Sequence, residues 1–256
     1  MNNIVSRIAL RIKRKETPVA AFLYRLAKGI RTFSIPTVKP IHLPLYYLDR
    51  GAREGLHWIL HTFWWAPLFR ARCESAGKNL CVPNEIPYVI GSHLRIILGD
   101  NVTIMRTTIG ASKIYDAPLL KIGNNSTIGY GTTISVAKEV VIGDNCLIGP
   151  SCLIMDSDDH PISPQKRLMG EGVPPEEVKP VRIGNNVWIG SNCVILKGVT
   201  IGDNSVIATH SVITKDVMEN CVYAGYPARP VLRDIDKGTF STGVEQAKQA
   251  INERPK

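Results

Sequence analysis

The chain has 256 residues, 44% of them apolar, enough for one large domain or a domain with an appendage. Its six cysteines lack the C-x-x-C pairs of a zinc site, and in a cytoplasmic chain they should be reduced. The net charge of +9 resides wholly in residues 1–79, which carry 14 Lys/Arg against 4 Asp/Glu, whereas residues 80–256 carry 17 against 18, so two modules are expected.

The opening "MNNIVSRIALRIKRKE" has neither the long apolar core nor the small-residue cleavage site of a secretory signal. The longest uncharged stretch, Gly55 to Phe69, falls short of the roughly 20 residues a membrane-spanning helix requires. A cytoplasmic location is the expectation. Val19, Phe22, Leu23, Leu26, Ile30 and Phe33 fall on one face of a predicted helix, with Arg25, Lys28 and Arg31 opposite. A second helical pattern, Leu56, Ile59, Leu60 and Phe63, has Trp58, Trp64 and Trp65 beside it. Two readings of this basic region, residues 1–79, stay open. It is an amphipathic element lying on an anionic membrane at its inner face, or a helical subdomain packed on whatever follows. Nucleic-acid binding is less attractive, because the basic residues accompany an apolar stripe rather than an aromatic-studded groove.

From residue 80 to residue 220 the chain repeats itself. Isoleucine stands at 122, 128 and 134, at 142, 148 and 154, at 183, 189 and 195, and at 201, 207 and 213. Four residues after each comes a small or β-branched residue, with Lys138 and Asp158 as the exceptions. Strand side chains alternate faces, so each Ile and the small residue before the next one share an interior. Cys146, Cys152 and Cys193 occupy that small position and read as core residues. Glycine follows most of the isoleucines but is missing from every third hexad, so the structural unit is three hexads, one turn of a three-sided coil. Gly and Asn/Asp are expected to supply the corners. Stacked at the ordinary strand spacing of about 4.8 Å, five to six such coils form a parallel β-helix prism.

The beat stops at Ile154 and resumes at Val181. Between them "SDDHPISPQKRLMGEGVPPEEVKP", residues 157–180, is too polar and Pro-rich to lie inside the prism and must project outward. His160 stands near its start, held extended by Pro161. A loop histidine without a role is common, and the spacing alone does not single it out. His93 and His210 read as structural or solvent-facing. Trp188, one residue before Ile189, points away from the core, so it lines a cleft or a subunit contact.

The hexads "IGNNVWIGSNCVILKGVTIGDNSVIA", followed by "VITKDV" and "YAGYPARPV", resemble the hexapeptide-repeat acetyltransferases, in particular the maltose/galactoside and polysaccharide O-acetyltransferase branch. The resemblance covers roughly residues 80–233. It implies an all-β fold, a left-handed parallel β-helix, here with an N-terminal helical extension and a C-terminal segment, 221–256, on the coenzyme side. It further implies transfer of an acetyl group from acetyl-CoA to a hydroxyl, with no metal, in a homotrimer whose active sites lie between subunits. His160 would be the general base, a role suited to imidazole because its ordinary pKa of about 6.5 leaves it neutral yet protonatable near pH 7. Ser191 would steady the oxyanion; otherwise it is a corner serine. Asp156, Asp158 or Asp159 could orient the imidazole, or could simply be solvated. Trp188, Thr209 and Thr214 would lie along the coenzyme, and Lys215 and Arg229 would meet its phosphates. The chain departs from the family pattern at "ATHS" and at Leu232. The zinc-binding carbonic anhydrases of the same prism use a closely spaced histidine pair that is not visible here. The expected acceptor is a sugar hydroxyl of a polysaccharide or its precursor. A small acceptor such as serine, an amine or an antibiotic, or a non-catalytic scaffold, are the alternatives.

Overall fold

The structure is a computed structural model that describes residues 4–83, 85–237 and 239–240. The tail expected after residue 240 lies outside these. The chain divides into two compact units between Arg53 and Glu54.

In the first unit, helix α1 (Ile4–Arg14) packs against helix α2 (Pro18–Thr32). The start of α2 is capped by Thr17, whose Oγ1 accepts from the Ala20 backbone N–H at 3.1 Å, with Pro18 at the first helical position. Helix α3 (Lys39–Leu60) leaves this unit and leads through a π-helical turn, His61–Trp65, into α4 (Ala66–Arg72). The outcome for the second predicted helical pattern is divided. Leu56, Ile59 and Phe63 are exposed, whereas Phe69 is fully buried against the end of the prism with Trp65 and Ala66 beside it. Arg70 and Arg72 fasten α4 there by donating to the carbonyls of Ala76 (2.6 Å), Leu94 (3.1 Å) and Gly91 (2.9 Å). Among the described residues no helix is long and apolar enough to cross a membrane.

The rest is a left-handed parallel β-helix of about seven turns, more than the five to six expected. The extra length comes from its weakly patterned ends. Ser75–Ala76 already pairs with Ile97 and Leu98, Cys81 bridges to Thr103, and Val217 bridges back to Ile201. The first face runs through Arg95–Leu98, Leu119–Ile122, Glu139–Ile142, Val181–Ile183 and Thr200–Ile201. The second runs through Thr103–Ile104, Thr127–Ile128, Leu147–Ile148, Trp188–Ile189, Val206–Ile207 and Cys221–Gly225, which turns back into antiparallel Ala228–Arg233. The third comprises Tyr88–Ile90, Thr108–Ala111, Thr133–Val136, Leu153–Met155, Val194–Ile195 and Val212–Ile213.

All twelve isoleucines are at most 2% exposed and stack in register from coil to coil, Ile128 on Ile148 on Ile189 on Ile207 for example. Each such burial is worth about 1.5–3 kcal/mol. The small inward residue does more than make room. Ser126 Oγ donates to the Gly143 carbonyl of the next coil (2.8 Å), Thr132 to Gly149 (3.1 Å), Cys146 Sγ to Gly184 (3.0 Å), Cys152 to Gly190 (3.2 Å) and Cys193 to Ala208 (3.1 Å). Buried polar groups are therefore satisfied along the stack.

The corners divide the labour differently from expectation. Left-handed backbone falls to Asn79, Asn101, Asn125, Asn145, Asn186 and Asn204 at the edge between the first and second faces. Their side chains form amide ladders, such as Asn101 Nδ2 to Asn125 Oδ1 at 2.8 Å. The glycine after each isoleucine is needed instead for close approach. A Cβ on Gly129 would sit 2.6 Å from the backbone of Gly149 in the next coil. At the edge between the second and third faces, Ser151, Asn192 and His210 take the left-handed turns.

Candidate active site

Two excursions leave the prism at one edge, where the third face turns back to the first. Residues 112–118 leave after Ala111, and residues 156–180 leave after Met155. The longer one folds back on the shorter. Val173 and Val178 are buried against Ala137, with Ile114 and Tyr115 of the shorter excursion packed on them. Tyr115 Oη donates to the Pro175 carbonyl (3.2 Å), and Lys138 Nζ lies over the Tyr115 ring, 5.5 Å from its centroid. A short helix α5 (Pro164–Leu168), capped by Ser163, gives the loop a rigid middle. Between the excursions runs a groove of about 670 Å³, lined by Ser112, Lys113, Asp159, Lys166 and Glu171 among others.

The root of the long loop is fixed by three aspartates that do different things. Asp156 is fully buried. Its carboxylate accepts from the backbone N–H groups of Ala137 (2.6 Å), Lys138 (2.7 Å) and Glu139 (2.7 Å). Burial pushes its pKa above the ordinary carboxylate value, while those backbone donors hold the charged form in place. Asp158 pairs with Lys197 of the next coil (2.6 Å), and Asp159, in left-handed backbone, accepts from Ser135 Oγ (2.8 Å). His160 follows immediately, exposed, its backbone N–H donating to the Asp158 carbonyl at 2.7 Å. Among the described residues no aspartate hydrogen-bonds the His160 ring. The three acids set the backbone that carries the imidazole.

The other expected site residues divide between two edges. Ser191, half-buried, and Thr209, exposed, sit on adjacent coils where the second face meets the third, and the His210 N–H donates to the Ser191 carbonyl (2.9 Å). The hairpin Gly225–Ala228 closes over the same edge, with the Gly225 N–H donating to Ser211 Oγ (3.1 Å), and Arg229 leaves from it. Trp188 stands on the second face, 56% exposed, in register with exposed Leu147. Thr214 and Lys215 lie after Ile213 at the opposite edge of the third face, the edge that carries His160. Ser191 and Lys197, the anchor of the His160 loop, stand at opposite ends of the third face, with the left-handed corner at Asn192 and the strand Val194–Ile195 between them, a reach of at most about 20 Å. A single copy therefore presents two half-sets, one with His160, Thr214 and Lys215 and one with Ser191, Thr209 and Arg229.

Lys215 and Arg229 are exposed, and neither is paired with a carboxylate among the described residues. That leaves both cations available to an anionic ligand such as the phosphates of a coenzyme. Among the described residues no group of three or more His, Cys, Asp or Glu is arranged to hold a metal ion. The sequence reading missed Asp156 as the loop's anchor, and missed Lys197 and Ser135 altogether. Asp156 looked equivalent to its two neighbours, and its one signal was its place directly after the last residue of a strand.

Comparison with known proteins agrees with this architecture. Residues 180–215 match the model of the bacterial transferase hexapeptide (six repeats), and residues 139–155 match the hexapeptide repeat of succinyl-transferase. The galactoside O-acetyltransferase of Escherichia coli K12 is 51% identical over 77 residues, 30% of this chain and 36% of that protein. The chloramphenicol acetyltransferase of Agrobacterium fabrum is 40% identical over 63 residues, 25% and 30% of the two chains. The matched segments thus span about a third of the length of these relatives. A variant of AntD, an N-acyltransferase from Bacillus cereus solved with dTDP and coenzyme A, shares the fold at 17% identity, covering 75% of this chain and 97% of its own with a TM-score of 0.52. The in-register isoleucine stack, the triangular coil and the two family-model matches converge: the chain carries bacterial transferase hexapeptide repeats and over them is similar to the hexapeptide-repeat acetyltransferases.

Proposed function

We propose that the protein is an acetyl-CoA-dependent O-acetyltransferase that acts on a sugar hydroxyl of a polysaccharide or its precursor, with His160 as general base. The observation that carries this reading is the anchored loop: Asp156, Asp158 and Asp159 fasten its root at the prism edge, and His160 directly follows Asp159, which lines the groove between the two excursions. Nδ1 or Nε2 of His160 takes the proton of the acceptor hydroxyl as its oxygen bonds to the thioester carbonyl carbon. The tetrahedral oxyanion is steadied by Ser191 or a backbone N–H near it. The C–S bond then breaks, and the imidazolium returns the proton to the departing sulfur, so no acyl-enzyme forms. Thr209, Thr214 and Trp188 line the pantetheine path, and Lys215 and Arg229 meet the phosphates.

The two half-sets on opposite edges support a trimer in which the His160 edge of one copy faces the Ser191 edge of its neighbour. Hybrid assemblies test this. An equal mixture of His160→Ala and Thr209→Glu chains, each inactive alone, should recover roughly a quarter of the activity, since one interface in four then pairs two intact edges. No recovery would mean that each site is built within one chain.

The decisive assay is release of CoA thiol with acetyl-CoA and a panel of glycans. His160→Ala should lower turnover by about 10²–10⁴-fold with folding unchanged. Thiol release equal to that of the variant would defeat the enzyme reading. The likeness to a chloramphenicol acetyltransferase favours one second reading, a small non-glycan acceptor. Turnover of chloramphenicol or serine exceeding that of every glycan would support it.

A further inference from the structure

Helix α2 has two apolar sides, and only one of them is used. At about 100° per residue, Ala20, Tyr24 and Ala27 fall on the side that meets α1. Ala20 is buried, Tyr24 is half-buried, and Ala9, Ile12, Tyr24 and Ala27 line the seam between the two helices. Val19, Phe22, Leu23, Leu26, Ile30 and Phe33 fall on another side and remain in water, from 40% exposed at Leu23 to 75% at Phe33. This is a continuous stripe over four turns, and a chain does not leave such a surface wet without an occupant.

The charges around the stripe identify the occupant. Residues 1–39 hold nine Lys/Arg and a single acid, Glu16, which lies 3.8 Å from Arg11 and 3.6 Å from Arg14. Neither α1 nor α2 contains an acidic residue. Arg25 borders the stripe beside Leu26, Ile30 and Phe33, whereas Arg31 lies towards α1, where it lines the seam with Tyr24 and Ala27; neither has an acidic partner among the described residues. A second copy of the helix would bring the same arginines against these and no carboxylate to answer them. An anionic bilayer surface supplies both an apolar layer and the opposite charge. The helix has 15 residues, about 22 Å at 1.5 Å per residue, and it is not apolar on all sides, so it lies along the interface rather than across the bilayer.

We infer that α2 is an interfacial membrane anchor: its Val19–Phe33 stripe beds into the acyl boundary of an anionic leaflet, with Arg25 at its border at the level of the lipid phosphates and the remaining basic residues of α1 and α2 adding to the attraction. This stands apart from the catalytic reading. If both hold, the acceptor is a glycan carried on a lipid, delivered at the surface where the enzyme rests.

Vesicle co-sedimentation of the full chain tests the inference. Binding to phosphatidylcholine vesicles containing 30% phosphatidylglycerol, roughly the anionic content that attracts basic segments, should exceed binding to pure phosphatidylcholine by about tenfold or more and weaken at high salt. Leu26→Asp with Ile30→Asp should abolish it, and Arg25→Glu with Arg31→Glu should remove the preference for the anionic lipid. Helical circular dichroism and thiol-release activity in detergent-free buffer should be unchanged in both variants, which separates loss of the anchor from misfolding and from failure of the catalytic reading. Equal partitioning of wild type and the Leu26/Ile30 variant would overturn the proposal. So would a fall in the mass of the assembly by light scattering with vesicle binding intact, because the stripe would then be an interface between copies.

Discussion

The prism and α2 both place large aliphatic side chains at regular intervals, yet the prism buries every one of its twelve repeat isoleucines while α2 leaves its main stripe in water. The difference lies in where the partner surface comes from. A coil that repeats after about twenty residues sets each isoleucine on its own counterpart in the next turn, so the chain covers itself. A helix stripe has no such neighbour built in. α1 covers one side of α2, and the other must find its occupant outside the chain. Hydrophobic periodicity therefore tells which residues face together, and the period tells whether the chain can satisfy them alone.

Substitutions can break this contrast. Ile189→Ala, between Ile148 and Ile207, should cost about 2–5 kcal/mol by lost burial and the cavity left behind, read as a lower midpoint in denaturant unfolding. Asp156→Ala should cost on the order of 2–3 kcal/mol, because the buried Ala137 N–H loses its acceptor and those of Lys138 and Glu139 lose a charge-assisted one. Limited proteolysis within residues 157–180 should accelerate, and activity should fall more than the stability of the prism does. Ser126→Ala should cost about 1–2 kcal/mol by removing two coil-to-coil hydrogen bonds, the one donated to the Gly143 carbonyl and the one accepted from the Cys146 N–H, whereas Ser126→Cys, which copies the residues found at 146, 152 and 193, should cost less. Ile30→Ala should change the stability of the lipid-free protein by no more than about 0.5 kcal/mol. A loss as large as that at Ile189 would mean that the stripe is covered after all and would end the contrast.

The catalytic region was legible to a different depth. His160 drew notice because a histidine opened the one long interruption of the repeat, and the structure sets it at the prism edge. Asp156, Asp158 and Asp159 could not be told apart from their neighbours in sequence. Their roles depend on partners about twenty to forty positions away, Ala137, Lys197 and Ser135, that only the stacking of coils brings near. The same holds for the glycines. Their spacing marked corners, but the need for a missing Cβ arises from the backbone of the next coil, 2.6 Å away at Gly129.

From residues alone one could read the inward side chains, the three-sided coil, the outward loop and the amphipathic leader, because each is set by the geometry of neighbours a few positions apart in the chain. The three-dimensional fold was needed to assign the expected site residues to two opposite edges of the third face and to show that one side of α2 is filled and the other open. Those outcomes depend on which distant segments come into contact, and contacts of that range leave no local pattern behind.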